Sequence, residues 1–310
     1  MGSGTTFIYF RNHTGAFGSR PIREGGNYKY INPLLFCEIS ENREFNQFQP
    51  LKGKILALLS DKVNNSLVEK SSVYYRDLNS GRWFCINENE RYTPASLLKV
   101  PRMIAFFKLA ESQPSILQKN IFYDGTFNDN KYEDIKPKKE IQAGYWYTIE
   151  DLIEYMIKYS DNNATRLLSE NIDPDLLKEV YTDLGLSLPP SGIGVDFMSA
   201  KSYSYFFRVL YNSSYLSRQV SEKALSLLTL VDFDNGLMAG IPDNITLANK
   251  FGEGEFLTPE GQVISRELHE CGIFYKPNHP YLLCVMTKGN NFDNLTGVIK
   301  DVSNLVYSNL

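Results

Sequence analysis

The sequence predicts an α+β fold, with an antiparallel sheet assembled from both ends of the chain and a helical lobe inserted between them. Three observations predict it. A strand hairpin at 71–89 follows a helical run, the middle of the chain is dominated by helical patterns, and three short strand runs plus a helix close the chain after residue 245.

The elements follow in order. PLKGKILALLSDKVNN (50–65) places Leu51, Ile55, Leu58 and Leu59 at helical spacing. In SSVYYRDLNSGRWFCINEN (71–89), two aromatic and β-branched runs flank DLNSG, whose Asn, Ser and Gly suit a tight turn. TIEDLIEYMIKYS (148–160) opens with a Thr-x-x-Asp cap signature and carries Leu152, Ile153, Met156 and Ile157 on one face. ATRLLSEN, PDLLKEVYTDLGL, SAKSYSYFFRVLYN and SEKALSLLTLV read as further helices, with SLPPSGIGVD (187–196) as a loop by its Pro and Gly content. ITLANKFGEG, ELHECGIFYK and YLLCVMTKG read as strands, and LTGVIKDVSNLVYSNL as a closing helix. The domain is expected over 51–310, with its α/β part at about 51–95 and 240–310 and the helical lobe at about 96–239.

Residues 1–50 stand apart. MGSG reads as a cloning remnant, and 5–50 as an extension of weak periodicity packed onto the domain. The apolar FIYF run reads as an edge strand in preference to the stump of a removed membrane anchor. A native signal is expected to be missing from this sequence.

Composition excludes several classes. The chain has 310 residues, 43% hydrophobic, enough for a sizeable core. Its net charge of −4 and dispersed lysines argue against nucleic-acid binding. No apolar run reaches the length of about 18 residues that a membrane-spanning helix needs. The four cysteines, Cys37, Cys85, Cys271 and Cys284, form no CxxC pair, so no zinc site is expected, and no other metal or cofactor is expected either. Cys271 and Cys284 flank a hairpin turn, KPNHP, that would bring them near each other, but buried free thiols are the expectation.

Three short stretches carry the chemistry. In YTPASLLKVPRM (92–103), Thr93 suits a helix cap and Pro94 a first turn, which puts Ser96 where backbone N–H groups are unpaired and the helix dipole is positive. Lys99 follows at i+3 on the same face, where burial would lower its pKa and make it a base. Alone, a Ser-x-x-Lys is expected by chance about once in a chain of this length, and would pass for two ordinary helix-start residues. YSDNNATRLL adds Ser160, Asp161 and Asn162 between two helices. There Asp161 can cap the second helix, Ser160 can relay a proton, and Asn162 can hold a substrate carbonyl and the lysine amine. NKFGEGEF adds Lys250, Phe251 and Gly252 on a strand. Lys250 would bring positive charge beside the serines, Gly252 would let the backbone approach a ligand, and the N–H of Glu253 would join that of Ser96 as an oxyanion donor. The three histidines, His13, His269 and His279, are expected to be structural or surface groups.

In this order the three stretches resemble the S-x-x-K, S-D-N and K-T-G motifs of the penicillin-recognising serine enzymes, and most nearly those of class A β-lactamases. The resemblance covers about 51–310. It implies a five-stranded antiparallel sheet packed with helices, an all-helical lobe, a site between them, and an acyl-enzyme at Ser96. It also implies a small-molecule β-lactam or peptidoglycan-like peptide substrate and an extracytoplasmic location.

Two departures qualify it. The family's loop glutamate, which activates the deacylating water, has no counterpart in LGLSLPPSGIGVDFMSAK; Asp196 there matches a structural aspartate. Phe251 stands where the family has Thr or Ser, whose hydroxyl helps to bind the substrate carboxylate, and Glu253 and Glu255 add negative charge. Phe251, Gly252 and Glu253 are therefore the expected substrate-binding residues, and slow release of the acyl group is expected. A penicillin-binding sensor or D,D-peptidase-like protein on the same fold is the alternative.

Overall fold

The computed structural model describes residues 28–32, 46–188 and 195–310. The MGSG and FIYF runs, His13 and Cys37 lie outside the described residues.

Helix α1 (Gln49–Asn64) buries Leu51, Ile55 and Leu59, a stripe at i, i+4 and i+8. Strands β1 (Lys70–Asp77) and β2 (Trp83–Ile86) form the expected hairpin, with Val73 opposite Ile86 and Arg76 opposite Trp83. In its turn Asp77 accepts from the backbone N–H of Ser80, and Gly81 takes a φ of +72° that costs a glycine little.

The other three strands are β5 (Leu247–Leu257), β6 (Val263–Phe274) and β7 (Tyr281–Gly289). The sheet runs β2-β1-β7-β6-β5 with every neighbour antiparallel. The β1–β7 pairing sets Val73 opposite Val285 and so joins the two ends of the chain into one five-stranded sheet. Burial along β7 and the second half of β6 is continuous rather than alternating. Both faces are covered: α1 packs with α8 (Phe292–Ser308), α8 packs on β6 and β7, and α6 (Ala200–Tyr211) packs on β1, β6 and β7.

Cys271 and Cys284 stand directly opposite each other in the β6–β7 register and are joined as a disulfide. This corrects the expectation of free thiols for that pair, because the hairpin register brings the two side chains to one paired site. Cys85 is free and buried.

The inserted lobe holds α2 (Lys99–Ser112), α3 (Ile149–Lys158), α4 (Asn162–Glu170), α5 (Pro174–Asp183) and α7 (Arg218–Leu228). Thr148 and Asp151 close the predicted capping box at the start of α3. The lobe also carries a two-stranded ribbon, β3 (Asn120–Tyr123) paired with β4 (Tyr145–Thr148), which adds strands to a lobe expected to be all helical. Strands of four residues are too short to show a period of two in the sequence.

Candidate active site

The site is built at the junction of sheet and lobe. A 3-10 turn, Ala95–Leu98, leads into α2 and carries Ser96. Ala95, just before the serine, is held at a φ of +48°, a region that costs a non-glycine residue energy and is retained where surrounding contacts over-determine it. Those contacts are visible. Tyr203 donates from its buried hydroxyl to Leu97 O at 2.9 Å. The N–H of Thr93 donates to Glu267 Oε2 at 3.0 Å, and the Thr93 hydroxyl donates to Asp196 Oδ1 at 2.8 Å. Thr93 is thus engaged with Asp196 and does not cap the helix as expected, while Asp196 has the structural role the sequence assigns it. His269, fully buried, accepts the Thr287 N–H at Nδ1, so its Nε2 carries the hydrogen and meets Thr93 O at 3.1 Å. It anchors the strap before the serine. His279 is exposed in the β6–β7 turn.

Strand β5 is the sheet edge that faces this turn. A Cβ added to Gly252 would come within 2.7 Å of Pro94 O and 2.9 Å of Leu97 N. Gly252 therefore lets the strand lie against the serine turn. Phe251 is 3% exposed and stacks on Phe233 with ring centroids 4.3 Å apart. It is a wall residue, and its apolar ring offers no donor where a hydroxyl would stand.

Lys99 is the hub. Its Nζ donates to Ser160 O at 2.6 Å, Ser160 Oγ at 3.0 Å and Asn162 Oδ1 at 2.6 Å. The side chain is fully buried, and burial lowers its pKa to about 7, with Arg102 adding to the effect and Glu133 and Asp161 opposing it. At neutral pH about half of it is then free amine, against roughly one part in several thousand for an ordinary lysine. Lys250 reaches the same serine: its Nζ lies 3.1 Å from Ser160 Oγ and 3.0 Å from Phe251 O. Burial first, and Lys99 second, hold its pKa well below the usual range. Two ammonium groups on one hydroxyl repel each other, so the pair favours fewer than two protons. The fixed positive charge expected of Lys250 is weakened accordingly.

Ser160 stands at a φ of +59°, and Asp161 behind it is fully buried. Asp161 caps α4 by accepting from Asn163 N and Ala164 N at 2.8 and 3.2 Å, and also accepts from Asn130 Nδ2 at 2.9 Å and Ile141 N at 2.7 Å. These four bonds fix the backbone that presents Ser160 and Asn162 to Lys99.

A cleft of about 240 Å3 opens over the serine, lined by Ser96, Lys99, Arg102, Glu133, Asn162 and Glu253. The structure thus brings together Ser96, Lys99, Ser160, Asn162 and Lys250, while the Glu253 side chain, rather than Phe251 or Gly252, meets the cleft. Two members were not foreseen. Arg102, one turn beyond Lys99, stands beside Tyr181 of α5, and its Nε has no hydrogen-bond partner. Glu133 accepts a hydrogen bond from Asn162 Nδ2. The i+3 spacing from Lys99 could have flagged Arg102. Nothing in YEDIKPKKE marks Glu133, because an irregular loop brings it in. Burial and the Glu133 carboxylate push the Glu253 carboxyl up to about 8, so it holds a proton at neutral pH.

The fold is that of the penicillin-recognising serine enzymes, and in it a serine and a lysine on one helix start face a Ser-Asp-Asn wall and a lysine-bearing edge strand. The chain belongs to the beta-lactamase enzyme family, whose model matches residues 50–310. A comparison with curated proteins gave no match. Among solved structures it is similar to PBP-A at 20% identity, with a TM-score of 0.68 over 84% of this chain and 96% of that one. It is also similar to a PBP-A mutant solved as an acyl-enzyme with penicillin G, at 19% identity and a TM-score of 0.69 over 87% and 98%. An ancestral class A beta-lactamase gives 20% identity and a TM-score of 0.67 over 84% and 100%.

Proposed function

We propose that this protein is a serine acyl-transfer hydrolase that forms an ester at Ser96 with β-lactams or peptide-like amides and releases the acyl group slowly. The observation that carries the proposal is the buried Lys99, one helical turn from Ser96 and hydrogen-bonded to both Ser160 and Asn162. Neutral Lys99 takes the proton of the Ser96 hydroxyl as Oγ attacks the carbonyl carbon. The carbonyl oxygen, now negative, is held by the backbone N–H groups of Ser96 and Glu253. As the C–N bond breaks, the proton passes from Lys99 through Ser160 Oγ to the leaving nitrogen. The ester at Ser96 and a free amine result.

Release needs a water and a base. The chain from 184 to 200 holds no glutamate, which supports slow hydrolysis. The same absence favours a second function on this fold, a penicillin-binding sensor or D,D-peptidase-like protein in which the acyl group stays or passes to another acceptor. A cell-wall peptide substrate would place the protein outside the cytoplasm. Intact-mass spectrometry after incubation with penicillin G tests the acylation step. A stoichiometric adduct lost in Ser96→Ala is expected, and an equal adduct on that variant would overturn the assignment.

A further inference from the structure

Lys99 must lose a proton before it can act as a base, and the charged groups around its amine pull in opposite directions. Glu133, from its loop, and Asp161, at the start of α4, favour the protonated form. Glu253 of β5 acts in the same sense but holds a proton at neutral pH. Lys250 of β5 opposes them through the shared Ser160 Oγ, yet burial and Lys99 keep it from carrying a full charge. Arg102 is the remaining cation. It follows Lys99 at i+3 on α2, and both line the cleft with Ser96.

Arg102 is set apart by what it lacks. Among the described residues it forms no ion pair and no hydrogen bond, and its Nε is buried without an acceptor. Its neighbour from α5 is Tyr181, fully buried, whose hydroxyl also has no partner. Burial pushes that phenol far up, so it brings no negative charge. A guanidinium keeps its proton even where burial opposes it. The result is a fixed positive charge in a partly dehydrated wall, with no carboxylate to cancel its field. Such a placement is costly to the fold. It stands one helical turn from a lysine whose work requires it to be uncharged.

Resting on the acyl-transfer function above, we infer that Arg102 is a positioning residue of acylation: its uncancelled charge, one turn from Lys99, keeps that lysine as the free amine that takes the Ser96 proton. The missing partner belongs to this role, because a carboxylate paired with Arg102 would cancel the field that Lys99 feels. The pH profile of Ser96 adduct formation with penicillin G tests it. Rates are followed by intact mass from pH 5.5 to 9.5 for the unmodified protein, Arg102→Met and Arg102→Lys, with melting temperatures as a folding control. Arg102→Gln, also uncharged, repeats the test if the Met variant does not fold. Without the guanidinium the protonated form of Lys99 is favoured, so the midpoint, at about 7 in the unmodified protein, should rise by about one pH unit. The rate at pH 7 should then fall about fivefold and return to that of the unmodified protein at pH 9.5. Arg102→Lys keeps the charge and should keep the midpoint. An unchanged midpoint in the neutral variants, with an equal loss at every pH, would overturn the role and leave Ser96 acylation standing. So would the same shift in Arg102→Lys, since charge would not then be the cause. No adduct from the unmodified protein at any pH would remove the acyl-transfer function and this role together.

Discussion

The Ser160–Asn162 wall and the Lys250–Glu253 wall face the same serine but differ in what they provide. The first is complete: Asp161 makes four hydrogen bonds behind it, and Ser160 and Asn162 both meet Lys99. The second retains the lysine and the edge strand but replaces a hydroxyl with the stacked ring of Phe251 and sets the Glu253 carboxyl into the cleft. On the proposed mechanism the groups that would move protons during acylation are intact, whereas the wall expected to meet the ligand's carboxylate departs from the family pattern. On that reading the chemistry and the specificity would be carried by separable walls.

The comparison can be broken hardest at Lys99. Lys99→Met should lower the acylation rate by about 10²- to 10⁴-fold, as loss of a positioned base does. In the unmodified protein the acylation rate should rise as pH passes about 7, since only the unprotonated amine can take the serine's proton. A flat profile from pH 6 to 8 measured by stopped-flow would exclude Lys99 as the base.

Asp161→Ala tests the first wall at a distance from the chemistry. It uncaps α4 and leaves Ile141 N–H and Asn130 Nδ2 without their acceptor, which should cost about 2–4 kcal/mol in denaturant unfolding. An unchanged midpoint would show that this wall is not held by the aspartate.

Phe251→Thr sharpens the second wall. A restored hydroxyl should tighten binding of carboxylate-bearing ligands by about 10-fold, the lower end for a hydrogen bond to a charged group, because losing the Phe233 stack disturbs the wall. Ligand titration by calorimetry measures it, and weaker binding would mean that the ring, not the missing hydroxyl, sets affinity.

Much of the frame was legible in the sequence because it rests on local patterns. Leu51, Ile55 and Leu59 give α1 its period, Thr148 and Asp151 announce the start of α3, and DLNSG marks the first hairpin. The five polar residues of the three motifs were legible through their types and order. Glu133 was not, because a loop without periodicity folds it onto Asn162. The bond from Ile135 N–H to the Glu253 carboxyl was not, because a strand's sequence does not say which loop its side chain will meet. The packing role of Gly252 was not legible for a related reason: its small size serves the approach of Pro94 and Leu97, which only the tertiary contact reveals. The Cys271–Cys284 bond depended on the β6–β7 register, which two cysteines 13 residues apart leave open.

The central claim is that Ser96 is acylated and then released slowly. The most direct measurement is an intact-mass time course after a penicillin G pulse and removal of excess ligand. A full adduct on Ser96 that persists for hours agrees with a cleft that has its acylating lysine and lacks the loop glutamate. Complete adduct loss within seconds, with rapid turnover of a chromogenic cephalosporin, would contradict it.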